Sequence, residues 1–537
     1  MHSTMQDVPL RIRRILDHGG TVHATSTVTT ATPTGTRSGT YAQVRENAAR
    51  LAHALRALGA SPGDPVATFM WNNQEHLEAY FAVPCMGAVL HPLNIRLPGE
   101  QITWIARHAG DRILIVDDTL VPLLAPLLPD MPGIRHVIVN GRADLQAPDG
   151  IEVHSYASLL EPYPTGYDWP ETSEHQAAAM CYTSGTTDDP KGVVYSHRSI
   201  YLQSMAVAMP DTFALSTADT LLAIVPQFHV LAWNLPYSAF LTGASVAMPD
   251  RFLAPEPLAA FIAASRPNKG AGVPTVWQGL LDHVRTHPSD ITSLQEAVVG
   301  GSACPPSLMQ GYDDLGITLL HAWGMTETSP LGTFSRPPAD RQEMRLSQGR
   351  LLAQVEARLI DDEDRELPFD GKSVGELETR GPWVTGSYHG VEAPDKFHDG
   401  WLRTGDVGYI TPDGYLILTD RAKDVIKSGG EWISSVELEN HLMSHPSVAE
   451  AAVIGVPDEK WGERPLALVV LRDGHPATAG ELREFLSAHV ARWQLPERWA
   501  FIAEVPKTSV GKIDKKLIRL RHADGAYRVT LNPSATP

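Results

Sequence analysis

PVATFMWNNQEHLEAYFAVPCMGAVLHPL, residues 65–93, reads as strand, helix, strand. PVATFM (65–70) and AVLHPL (88–93) are short apolar runs bounded by turn residues, and the span from about 75 to 86 carries helical spacing. Working outward, VRENAARLAHALRAL (44–58) places Val44, Ala48, Leu51, Leu55 and Leu58 on one helical face. A helix over 99–109 precedes RILIV (112–116), and RHVIV (135–139) reads as a further strand. Helices alternating with short apolar strands predict a layered α/β domain with largely parallel strands.

The alternation resumes after residue 175. TLLAIV (220–225), SVAM (245–248), KGAGV (269–273), EAVVG (296–300) and ITLLH (317–321) read as strands between helices. Val230 to Met248 is mostly apolar but holds Asn234, Pro236 and Gly243. It reads as a helix plus a strand inside a globule, not a membrane span. From about 350, VEARLI (355–360) and GELETRG (375–381) lie among turns, as in a small β-rich unit. After about 424, SVELENHLM and AGELREFLSAHV read as helices, and AAVIGV and LALVVL as strands. That is a separate α+β lobe near the usual domain size.

The chain has 537 residues, enough for roughly three to five structural units. Its net charge of −18 gives no broad attraction to nucleic acid or to an anionic membrane. Three cysteines, Cys85, Cys181 and Cys304, lack the spacing of a disulfide framework or a zinc cluster and read as buried thiols of a reducing, cytoplasmic compartment. The N-terminal stretch lacks the continuous apolar run of a signal peptide.

Five motifs carry chemistry. Tyr182-Thr183-Ser184-Gly185-Thr186-Thr187-Asp188-Asp189-Pro190-Lys191-Gly192 combines hydroxyls, a glycine and a lysine. Amides turned toward an anion, with a point charge beside them, suit a polyphosphate, although the Walker spacing is absent. Gly300-Gly301-Ser302-Ala303-Cys304-Pro305 and His321-Ala322-Trp323-Gly324-Met325-Thr326-Glu327 each follow a strand. Loops at the carboxyl ends of parallel strands are where open α/β sheets bind ligands. There the Trp323 indole offers a stacking surface, and Glu327 a hard oxygen for Mg²⁺. Trp401-Leu402-Arg403-Thr404-Gly405-Asp406 ends in a carboxylate suited to ribose hydroxyls. Asp420-Arg421-Ala422-Lys423-Asp424-Val425-Ile426-Lys427-Ser428-Gly429-Gly430-Glu431-Trp432 falls at the lobe boundary and suits a hinge. Pro506-Lys507-Thr508-Ser509-Val510-Gly511-Lys512 puts a lysine on a glycine-containing loop.

In this order, over about residues 40–520, the five motifs resemble the AMP-forming adenylating superfamily of acyl-CoA synthetases, luciferases and peptide-synthetase adenylation domains. Within it, PQFHVLAW (226–233), FAVPCMGAVLHPLNIRL (81–97) and KSGGEWISS (427–435) look closest to bacterial medium- or long-chain fatty acyl-CoA synthetases. The resemblance implies an α/β protein. A large N-terminal domain of layered sheets (1–422), with a small β-barrel-like subdomain at about 335–420, is joined by a hinge at Lys423 to a small α+β lobe (423–537).

It also implies roles. Thr183 to Lys191 would wrap the triphosphate, and Gly301, Ser302 and Ala303 would line the adenine pocket with His321, Ala322, Trp323, Gly324 and Met325. Thr326, Glu327 and Thr183 would meet phosphate and Mg²⁺, and Asp406 and Arg421 the ribose. Lys512 would be the catalytic lysine of adenylation. His229, Trp233, Val273, Pro274, Gly300 and Gly324 would shape the acid pocket, with Trp233 as an aromatic gate and His229, which the resemblance counts with Lys512, Glu327 and Thr183 as catalytic, between that pocket and the thiol tunnel. Lys427, Gly429, Gly430, Glu431 and Trp432 would serve the CoA-dependent half-reaction. The implied reaction converts a medium- or long-chain fatty acid to an acyl-adenylate and then to acyl-CoA, with a homodimer among the assemblies of similar proteins. A second reading keeps the adenylation and changes the acid to an aryl acid, or to nitrite passed to an aryl amine.

Three positions depart from the resemblance. Asp188 places a carboxylate in the cradle, read as an outward-facing tip. Lys269 is read as solvated at the start of its strand; pointing inward, it would suit a small or anionic acid. Asn234 stands where glycine is common.

Overall fold

The computed structural model describes residues 1–183, 190–429, 431–508 and 511–531. Residues 65–93 form the strand Pro65–Phe69, the helix Gln74–Cys85 and the strand Val89–Pro92. Asn73 caps that helix by accepting from the amide of His76. The preceding helix, Tyr41–Ala57, opens on a reciprocal Thr40–Gln43 capping box and buries Val44, Ala48, Leu51 and Leu55. Gly59, at φ +91°, ends it.

The strand–helix alternation builds two sheets rather than one. The first runs, in spatial order, Glu152–Ser155, His136–Asn140, Ile113–Asp117, Pro65–Phe69, Val89–Pro92, Ala177–Tyr182 and Gly192–Ser196. Its pairs are parallel except the last, a hairpin around the 183–191 loop. The second has a parallel centre: Ser245–Met248, Thr220–Ala223, Lys269–Gly272, Glu296–Gly300 and Thr318–Trp323. Beyond Thr318–Trp323 it continues as antiparallel strands from Thr333–Ser335 through Tyr415–Arg421 to Glu356–Ile360. The β-rich segment is thus an extension of this sheet.

The largest core lies between the sheets, where helices Ile12–Val22, Tyr41–Ala57, Gln74–Cys85, His197–Ala208 and Leu235–Thr242 pack. Tyr41 stacks on Phe240 with ring centroids 3.7 Å apart. At ~1.5–3 kcal/mol for each large apolar side chain removed from water, this interior is rigid enough to hold loops in costly conformations. One is conspicuous. Val230, Leu231, Ala232, Trp233 and Asn234 all have φ between +46° and +57°, a turn of left-handed helix without glycine. Each such residue costs roughly 1–2 kcal/mol, so packing must over-determine the turn.

The C-terminal segment forms its own sheet from Ile426–Ser428 to Thr530–Leu531, flanked by helices Ser435–Met443, Ala479–Ser487 and Lys515–Ala523. It carries separate cores. Asp420, on the last strand of the second sheet, accepts from the amide and hydroxyl of Ser435 at 2.6 and 2.5 Å. Lys515 donates to the same Ser435 hydroxyl and pairs with Glu439 at 2.8 Å. No helix among the described residues is long and apolar enough to cross a membrane.

Candidate active site

A cavity of about 870 Å³ lies where the carboxyl ends of the parallel strands, the antiparallel extension and the C-terminal segment meet. The ends of Glu296–Gly300 and Thr318–Trp323 supply Gly300 to Ala303 and His321 to Glu327. The extension supplies Asp406 and Arg421, and the C-terminal segment supplies Gly511 and Lys512.

Close backbone approaches shape the walls. A Cβ on Gly324 would sit 1.2 Å from the carbonyl oxygen of Pro330, so only glycine fits. Gly301 has φ +83°, and a Cβ there would lie 3.5 Å from Cε of Lys512 and 3.6 Å from Val273. The Lys512 stem therefore lies directly over this loop. Gly511 sits against Thr275, after the strand that leads to Val273 and Pro274.

Electrostatics converge on Lys512. Burial and the neighbouring Arg421 push its ammonium down to about 8, against the opposing pull of Asp406 and Glu327. His229 is pushed down to about 3 by burial, with Lys512 and Arg96 adding to the effect, and is neutral at pH 7. Burial raises the Glu327 carboxyl, while Tyr388 donates to its Oε1 at 2.8 Å. A buried carboxylate beside a hydroxyl-bearing loop is a hard-oxygen donor set that fits Mg²⁺. Arg421 lies 3.4 Å from Asp406.

Thr183 and Lys191 line the cavity and close on each other. The Thr183 amide donates to the Lys191 carbonyl at 2.9 Å, and the Lys191 amide to Oγ1 of Thr183 at 3.3 Å. The Lys191 ammonium stands 5.7 Å over the Tyr388 ring. Ser184, Gly185, Thr186, Thr187, Asp188 and Gly430 lie outside the described residues.

The structure amends two readings. The Trp323 ring faces the cavity but is not a free stacking surface: its indole N–H donates to Asp406 at 2.7 Å, and its six-membered ring packs against Gly332. Lys269 is neither inward-facing nor solvated. Its ammonium donates at 2.7 Å to the carbonyls of both Phe213 and Ala214, and lies 3.8 Å from Asp219. Lys427, Gly429, Glu431 and Trp432 are exposed in the C-terminal segment and do not line the cavity that holds Lys512, which leaves their reading for the CoA-dependent half-reaction as it was. Lys423, by contrast, lines it.

Trp233 lies against Gly300, where a Cβ would meet its ring at 3.0 Å. With Gln203, Val207, Phe213, Phe228, Val230 and Leu331 it walls an apolar recess. Tyr388 and Gln203 were not legible as site residues, because each comes from an unrelated stretch and carries no local motif. His136, Glu152 and His154 form a group of metal-ligating type on the edge of the first sheet, but none lines the cavity.

Two family models, the AMP-binding enzyme and the AMP-binding enzyme C-terminal domain, match residues 20–389 and 437–512. The chain belongs to the AMP-binding enzyme family. This AMP-binding enzyme is 42% identical to a medium-chain-fatty-acid–CoA ligase of Ectopseudomonas oleovorans, over 96% of each chain. It is 41% identical to a 3-methylmercaptopropionyl-CoA ligase of Ruegeria lacuscaerulensis, over 97% of this chain and 98% of the relative. Among solved structures, an anthranilate CoA ligase in complex with anthranoyl-AMP superposes with a TM-score of 0.88 at 27% identity, over 97% of this chain and all of that one. The ligand of that complex is itself an acid joined to AMP. The AMP-binding enzyme is accordingly an adenylate-forming acid–thiol ligase in fold and in the chemistry its cavity is built for.

Proposed function

We propose that the enzyme activates a largely apolar carboxylic acid of medium or long chain with ATP, releases pyrophosphate, and passes the acyl group to CoA. The observation that carries this reading is the placement of Lys512 over Gly301, in one cavity with Glu327, Asp406 and Arg421.

A carboxylate is a poor electrophile, because its own charge repels nucleophiles. Its oxygen instead attacks the α-phosphorus of ATP, forming the acyl–oxygen–phosphorus linkage and breaking the bond to pyrophosphate. Negative charge builds on the phosphoryl oxygens and the leaving group. The Lys512 ammonium, with Thr183 and Lys191 lining the same cavity, meets that charge from within the site, which limits reorganisation during the reaction. Asp406, held by Trp323 and Arg421, takes the ribose hydroxyls. Glu327 and Thr183 would hold Mg²⁺, which would supply charge neutralisation at the phosphates.

In the second step a thiolate attacks the acyl carbon and AMP departs with the electrons of the acyl–oxygen bond. Neutral His229 can order the acyl end without adding charge. Lys512 has no role there, and we assign the segment 427–432 to that step, reached by rotation of a mobile lobe (423–537) about Lys423 against the ATP- and acid-binding domain (1–422). The nitrite reading loses its support from Lys269, which is committed to two backbone carbonyls and does not itself line the cavity.

The test uses acid labelled with ¹⁸O in its carboxylate. Label recovered in AMP, together with CoA-dependent thioester, supports the reading. Unlabelled AMP with every acid offered overturns it.

A further inference from the structure

The apolar recess contains one polar group out of keeping with a plain hydrocarbon tail. Gln203 lies on helix His197–Ala208, one turn before Val207, and both side chains line the cavity. Gln203 is fully buried. Asn234, which ends the left-handed turn at φ +56°, is also buried. Its Nδ2 donates to Oε1 of Gln203 at 2.7 Å and to the carbonyl of Ser329 at 3.1 Å.

These contacts fix the orientation of both amides. A backbone carbonyl only accepts, so Asn234 must turn its NH₂ toward Ser329. Gln203 must then turn its oxygen toward Asn234. Two atoms remain without a hydrogen-bond partner among the described residues, the Gln203 NH₂ and the Asn234 Oδ1, and of the two residues only Gln203 lines the cavity. Burying an unpaired donor in apolar surroundings forfeits the hydrogen bond it made to water. An alkyl tail leaves that cost in place, whereas an acceptor atom on the tail removes it.

The wall cannot easily relax to hide the amide. In the turn that follows the helix, the carbonyl of Thr212 accepts from Arg336, and those of Phe213 and Ala214 accept from Lys269. Phe213 is part of the same cavity lining. Asn234 itself is clamped between Gln203 and Ser329.

We infer that Gln203 is a specificity-determining residue and that the preferred acid carries a hydrogen-bond acceptor, an oxygen or nitrogen substituent, on an otherwise apolar tail or ring. This deepens the proposed function and rests on it, since the recess must receive the acid's tail.

The experiment measures acid-dependent ATP–pyrophosphate exchange with acids matched in length. Each parent alkyl or aryl acid is compared with its hydroxy, oxo and amino derivatives at successive positions. The wild-type enzyme is expected to favour at least one derivative over its parent by roughly 10- to 100-fold in kcat/KM. Gln203→Met, which keeps length and removes the donor, is expected to abolish or reverse that preference while KM for ATP stays unchanged.

Parent acids used as well as every derivative by the wild type would overturn the inference. So would a Gln203→Met enzyme that loses both acids in parallel. If Gln203→Met does not fold, as judged by loss of ATP binding, the wild-type comparison alone decides. Exchange with alkyl acids and no derivative preference defeats only this inference; exchange with no acid at all defeats the adenylation reading beneath it.

Discussion

The indole N–H of Trp323 donates to Oδ2 of Asp406 at 2.7 Å, joining the end of a parallel strand to an antiparallel strand 83 residues further on. The same carboxylate has Arg421 3.4 Å from its other oxygen. A carboxylate held on both sides presents a fixed acceptor, which is what a ribose diol requires. Hydrogen bonds to charged groups are worth ~1.5–3 kcal/mol, so Trp323→Phe should weaken ATP about tenfold or more. Because the indole acts through the carboxylate, Trp323→Phe should add little once Asp406→Asn is in place. ATP titration of the two single variants and the double variant checks this.

Lys512 titrates near 8 in the ATP-free enzyme because burial and Arg421 disfavour its charge. A triphosphate beside it restores the proton. At pH 7 the lysine is already mostly charged, so little uptake is expected. Near pH 9 ATP binding should take up close to one proton, roughly, and Lys512→Met should abolish that uptake. Calorimetry in buffers of different ionisation enthalpy measures it directly.

Tyr388 donates to Oε1 of Glu327 at 2.8 Å, orienting the carboxylate assigned to Mg²⁺. Losing such an orienting bond typically costs about 10- to 100-fold in metal affinity. Tyr388→Phe should raise the Mg²⁺ concentration for half-maximal pyrophosphate release by that order, and Glu327→Gln by more. Chelation of Mg²⁺ should stop the release in the wild type. Unchanged Mg²⁺ titrations would remove Glu327 from the metal assignment.

Ala232 has φ +50° within the left-handed turn beside Trp233. Glycine there relieves ~1–2 kcal/mol of backbone strain and loses ~0.5–1 kcal/mol to chain entropy. Ala232→Gly should therefore hold or raise the denaturant midpoint. The control, Ala239→Gly in the right-handed helix Leu235–Thr242, should lower it by about 1 kcal/mol equivalent or more.

Most of the strand–helix order was legible because apolar periodicity is local. The runs at 65–70, 88–93, 245–248 and 296–300 all became strands, and Asn73 and Thr40 cap the helices that periodicity alone had placed. The layered sheets were expected, but which strands pair in each, and the fusion of the β-rich segment onto the second, were not legible, since strand partners lie far apart in sequence. The motif residues Thr183, Lys191, Gly301, Glu327, Asp406, Arg421 and Lys512 do meet in one cavity. Their partners did not announce themselves. Tyr388 is one tyrosine among fourteen, and nothing near it marks the carboxylate it will orient. Lys269 misled for a related reason: a lone lysine before a strand reads as solvated, and only tertiary structure brings two backbone carbonyls to it. The left-handed turn at 230–234 contradicts every local preference of Val, Leu, Ala and Trp, so no propensity argument finds it.

The central claim is that Lys512 serves acid adenylation and not thioester formation. It is tested most directly by assaying the two half-reactions of Lys512→Ala separately. Pyrophosphate exchange should fall at least about 100-fold, the scale for losing a preorganised charge contact. Thiolysis of supplied acyl-adenylate by CoA should be little changed. Equal loss of both half-reactions, or retention of exchange, would contradict the account.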